Sequence, residues 1–75
     1  MRSMSDQQIR ELDVVALTVD LPQLKLVRGQ VGTVVFVYAP DVFEVEFVDD
    51  DGHAYGLTTL NASQLLRLHY KPIAA

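Results

Sequence analysis

The sharpest hydrophobic pattern in the chain is VFEVEFV at residues 42–48, where Phe43, Val45 and Phe47 alternate with Glu44 and Glu46. A period of two marks a strand with one buried face and one wet face. The DDDG that follows supplies the residues of a hairpin turn ending at Gly52, and HAYGLTTL reads as the returning strand. Gly56 interrupts that strand as a bulge or bend. Upstream, TVVFVY at residues 33–38 is a continuous β-branched and aromatic run. A run apolar on both faces is covered on both. A barrel interior takes one face, and a loop or a second subunit takes the other. Pro40 then stands at the second position of an Ala-Pro-Asp turn.

Toward the amino terminus the pattern is less regular. A first strand is expected over Leu12–Leu17, a β-branched run interrupted by Asp13 and Ala16, and Asp20-Leu21-Pro22 stops it. QLKLVRGQ reads as a connecting loop, held down by Leu24, Leu26 and Val27 and folded back over the barrel. Gly29 and Gly32 bracket the turn after it, where glycine provides positive φ or a close backbone approach. NASQLL has an Asn61 or Ser63 cap and room for one helical or 3₁₀ turn. LLRLH is a last short strand.

These elements predict an all-β chain: an SH3-like five-stranded small barrel with one short 3₁₀ turn before the last strand. An OB-like barrel carries a longer helix than this chain has room for. The expected organisation is a flexible tail over 1–11, the barrel over 12–69 and a second tail over 70–75.

Composition narrows the function. Seventy-five residues make one domain, and without cysteine no disulfide framework or Cys-based zinc site stabilises it. The 49% apolar content must do so, through one core or a subunit interface. The net charge of −4 is unevenly spread. Between Arg28 and Arg67 there is no Lys or Arg, while Asp41, Glu44, Glu46, Asp49, Asp50 and Asp51 all fall there. Phosphate backbones are gripped by positive charge, so nucleic acid is a disfavoured partner. The start, MRSMSDQQIREL, lacks the apolar core of a secretory signal, and no apolar run approaches a membrane span. A cytoplasmic, non-membrane protein is the expectation.

Candidate chemistry is sparse. DDDGH lacks the ligand spacing of a calcium loop. Glu44 and Glu46 share a strand face about 7 Å apart, a spacing that suits paired carboxylates, but a small barrel offers no pocket around them. His53 and His69 are the only imidazoles, and no nucleophile–His–acid arrangement accompanies them. The chain is therefore expected to be no enzyme and to take no cofactor or metal. Phe36 and Tyr38 share a face of their strand, with Val35 and Val37 on the other. One of these faces should lie partly outside a small barrel and mark an interface. The expected partner-binding set is Phe36, Tyr38, Glu44, Glu46, Asp49, Asp50 and Asp51. The partner is a basic protein or a second copy in a homodimer, steered by charge.

The order LDVVALTVDLP…LVRGQVGTVVFVY…FEVEFVDDDGHAYGLTTLNASQLLRL, covering about residues 12–68, resembles a family of small bacterial SH3-like barrels of unknown function. That resemblance implies a stand-alone barrel without catalytic residues, partnered in antitoxin-like or immunity-like fashion by a neighbouring gene product. More distantly the chain looks like the SH3-like accessory domain of nitrile hydratase, which packs on a catalytic subunit. The turn from Gly29 to Val34 also resembles the KOW motif of ribosomal and transcription-elongation proteins. It implies the alternative function, a nucleic-acid module gripping phosphates through Lys25 and Arg28.

Overall fold

The computed structural model describes residues 8–69. Five strands, β1 (Val14–Leu17), β2 (Val31–Ala39), β3 (Val42–Val48), β4 (Ala54–Asn61) and β5 (Leu65–Arg67), form one antiparallel sheet in the order β4-β3-β2-β1-β5. The only helical elements among the described residues are two 3₁₀ turns, Pro22–Leu24 and Ala62–Gln64. The second stands before the last strand as expected, with Asn61 at its cap position and the Asn61 N–H bonded to Gln64 Oε1 (2.9 Å). The first was not expected. Pro22 presets its opening φ, and Lys25 ends it in the left-handed conformation.

The sheet is open. Its edges are β4 and β5, with no ladder between them. A side chain of the β1–β2 loop packs on the core side of β4. A Cβ built on Gly56 would lie 3.6 Å from Leu26 Cδ2. The β1–β2 loop thus covers the core with Leu26, while Leu24 and Val27, expected to anchor it too, are exposed. A backbone bridge pairs Leu21 with Leu26, and the loop base is closed by Leu17 N–H to Gln30 O (2.9 Å) and Gly29 N–H to Leu17 O (2.8 Å). Those bonds fix the loop so that Leu26 is buried and Leu21, its bridge partner, packs against the core as a partly buried neighbour.

The core is built from the expected inner row of β3, Phe43, Val45 and Phe47, with Val34, Val15 and Leu17 from β2 and β1. Burial of each such side chain is worth about 1.5–3 kcal/mol. Ile9 also belongs to this cluster, although its polar neighbours place it in a tail by sequence. A turn over Arg10–Asp13 brings it in: Asp13 N–H bonds Arg10 O (3.1 Å) and Arg10 N–H bonds Asp13 Oδ2 (2.8 Å). That turn needs Leu12 at φ 73°, so β1 starts at Val14 rather than Leu12. Residues 1–7 and 70–75, expected to be tails, lie outside the described residues.

Gly29 (φ 93°) and Gly52 (φ 83°) occupy turns as expected. Gly32 does not. It lies inside β2, opposite Val15 on one side and Phe47 on the other. What requires glycine there is closeness: a Cβ would stand 2.8 Å from Glu46 O and 2.9 Å from Phe47 Cδ1.

Candidate functional site

The outer face of the sheet gathers Phe36, Tyr38, Glu44 and Glu46 of the expected partner-binding set. In a regular strand Phe36 and Tyr38 would follow Val34 into the core. They do not, because the β2–β3 register shifts between Val34 and Phe36 and again between Val37 and Ala39. Past the first shift Phe36 stands opposite Glu44, whose side chain faces away from the core. Bulges of this kind re-aim side chains locally. Phe36 (52% exposed) and Tyr38 (56% exposed) then meet edge to face, with ring centroids 4.9 Å apart.

Glu44 ties this pair to the sheet. Its Oε1 accepts hydrogen bonds from the Tyr38 hydroxyl (3.1 Å) and from Thr59 Oγ1 on β4 (2.7 Å). Two donors from two neighbouring strands fix the carboxylate beside the aromatic pair. Glu46, two residues on, stands between Thr33 and Leu57 on the same face. The outer face also exposes Val31, Leu57 and Leu66. These were not singled out from the sequence; the alternation of Leu57 against Leu60 becomes informative only once β4 is registered on β3.

The hydrogen bond to Glu44, followed by desolvation and the carboxylate's charge, raises the Tyr38 hydroxyl above the ordinary phenol value of 10.0. Because the folded value is the raised one, the bond's small contribution to stability is present below the ordinary value and lost as pH climbs through the raised one. Titrating the Tyr38 ring by NMR should give a midpoint above 10.0 in the wild type and a lower one in Glu44→Gln. Equal midpoints would show that the carboxylate does not hold the hydroxyl.

Asp49, Asp50 and Asp51 are elsewhere. They occupy the β3–β4 tip, and Asp49 lies five residues beyond Glu44, about 16 Å along an extended strand. Asp49 Oδ1 accepts the N–H groups of Asp51 and His53, each at 2.9 Å, so this carboxylate shapes the turn. Asp49, Asp51 and His53 can bring one donor atom each within 4.8 Å of one another, and all three are exposed. With Asp49 engaged by the backbone, the turn explains the cluster.

Lys25 and Arg28 are exposed on the β1–β2 loop. The Arg28 backbone N–H is taken by Asp20 Oδ1 (2.8 Å), which sets an acid beside this basic pair. Arg67 pairs with Asp13 (3.2 Å) at the β1–β5 end of the sheet. Among the described residues no helix is long and apolar enough to cross a membrane.

Comparison with curated proteins and with solved structures gives no match. A family described as a domain of unknown function (DUF4926) matches residues 11–67, from the turn before β1 to the end of β5. The chain belongs to that family.

Proposed function

We propose that this chain is a non-catalytic, cytoplasmic interaction module of bacterial origin on an SH3-like barrel, and that its outer sheet face binds a basic protein partner. The observation that carries the reading is the exposed Phe36–Tyr38 pair set against the half-buried Glu44. An apolar patch beside fixed carboxylates suits a Lys or Arg side chain, whose stem lies on the rings while its head meets the acid. Self-association through this face is disfavoured, since it would set Glu44 and Glu46 of two copies against one another. The SH3-like reading is supported by the strand order and by the 3₁₀ turn between the last two strands. The partner is the product of a neighbouring gene, antitoxin-like, or an enzyme subunit to which this chain is accessory. The nucleic-acid alternative through Lys25 and Arg28 has less support, because Asp20 neighbours them and the sheet face and β3–β4 tip are acidic.

Native mass spectrometry of the tagged chain, purified gently from its own host, tests the reading. A stoichiometric basic protein is expected with the wild type. Phe36→Glu should weaken its binding about 10- to 100-fold, the burial of one large side chain. A folded Phe36→Glu variant that keeps its partner undiminished would place the interface elsewhere.

A further inference from the structure

The two edges of the sheet are treated very differently by the sequence. β5 is three residues long and carries Arg67. β4 is eight residues, AYGLTTLN, with no charge and no proline. Natural sheets protect their edges with charges, prolines, bulges or short strands, because unpaired backbone groups recruit another strand. β4 has one such device, the register shift opposite Phe47 and Val48, and it lies near the hairpin end. The rest of the edge is unguarded.

Which backbone groups it offers follows from the register. Val34 donates to Asp13 O and accepts from Leu12 N–H, so its polar groups face β1. Alternation across the antiparallel ladders then turns Thr33 and Glu46 toward each other, and Val45 and Thr58 likewise. Leu57 and Thr59 are left with N–H and C=O pointing off the sheet. Asn61, next in that row, already gives its N–H to Gln64 Oε1. Both Leu57 (60% exposed) and Thr59 place their side chains on the outer face, opposite Glu46 and Glu44.

We infer that β4 pairs with β4 of a second copy, antiparallel about a two-fold axis through Thr58. In that register Leu57 of each copy stands opposite Thr59 of the other, and all the outward N–H and C=O groups of these residues are satisfied at once. The edge is self-complementary in hydrogen bonding and uncharged along its length, so no like charges lie in the contact itself. The acidic β3–β4 tips fall at opposite ends of the joined strands. A basic peptide would be drawn to the Glu44–Glu46 face rather than along the edge, whereas the uncharged backbone edge of β4 matches a second copy of itself. Pairing of single edges buries less than a standard interface, so the dimer is concentration-dependent. It continues the sheet to ten strands and presents two outer faces side by side. The inference is independent of the partner proposed above, whose surface is Phe36 and Tyr38.

Sedimentation equilibrium of the full chain over a wide concentration range tests it. The wild type should approach twice the chain mass as concentration rises. Leu57→Pro removes an N–H that points off the sheet and leaves the β3 ladder intact. Leu57→Lys places like charges at the contact of two copies. Both should remain monomeric, with Leu57→Lys keeping the wild-type circular dichroism and melting curve. A wild type that stays monomeric throughout overturns the inference. A dimer that survives Leu57→Lys overturns it equally, since the contact then lies on another surface.

Discussion

Phe47→Ala is expected to remove about 3–5 kcal/mol of stability, the usual cost of deleting a buried aromatic ring. Phe47 is 0% exposed, and its neighbours across both adjacent ladders are Gly32 on β2 and Gly56 on β4. The ring therefore fills space at three strand positions, and neither glycine has a side chain that could move into the vacancy. At roughly 0.05–0.15 kcal/mol per residue, a chain of 75 residues holds on the order of 4–11 kcal/mol in all. One substitution thus takes a large share of the total. Urea unfolding followed by far-UV circular dichroism suits a chain without tryptophan. The midpoint should collapse toward zero denaturant. An unchanged midpoint would mean that the ring is not the centre of the core.

Gly32→Ala should cost about 1–3 kcal/mol, the range for overpacking a tight site. The new methyl would meet Glu46 O and Val45 Cγ1 at 2.8 Å and Phe47 Cδ1 at 2.9 Å. The first of these is backbone and cannot rotate away without opening the β2–β3 ladder. Gly56→Ala is the control, because its nearest contacts would be 3.6 Å, ordinary van der Waals distance. It should be neutral, or stabilising by a few tenths of a kcal/mol through the unfolded chain. In a small domain about 1 kcal/mol shifts the melting temperature by roughly 4–8 °C, so thermal melts separate the two variants. Equal melting temperatures for them would remove close approach as the reason for glycine at position 32.

The difference between these glycines explains why one expectation failed and another held. Gly29 stands in a polar loop between strands, and there the residue type alone points to a positive φ. Gly32 belongs to β2, and what demands it is the partner strand β3, the Glu46 backbone and the Val45 and Phe47 side chains, more than ten positions away in the sequence. A local reading extends the turn to it because the partner strand is not visible locally. Ile9 was missed for a similar reason, its burial depending on a turn that requires a leucine at positive φ. In the candidate site, Glu44 and Glu46 were placed together by their own period, and the structure keeps them on one face. The aspartates at 49–51 were grouped with them by charge alone, and distance along the hairpin separates them.

The sequence by itself determined the all-β class, the inner row Phe43, Val45 and Phe47, the β3–β4 hairpin and the 3₁₀ turn before the last strand. Each is written in a window of a few residues, where a period of two or a capping residue sets local geometry. Tertiary structure alone decided that Phe36 and Tyr38 face outward, that Leu26 is the buried residue of its loop while Leu24 and Val27 are exposed, and that β4 is an unprotected edge. Those outcomes depend on the register between strands, and register is fixed by hydrogen bonds and packing that distant residues supply.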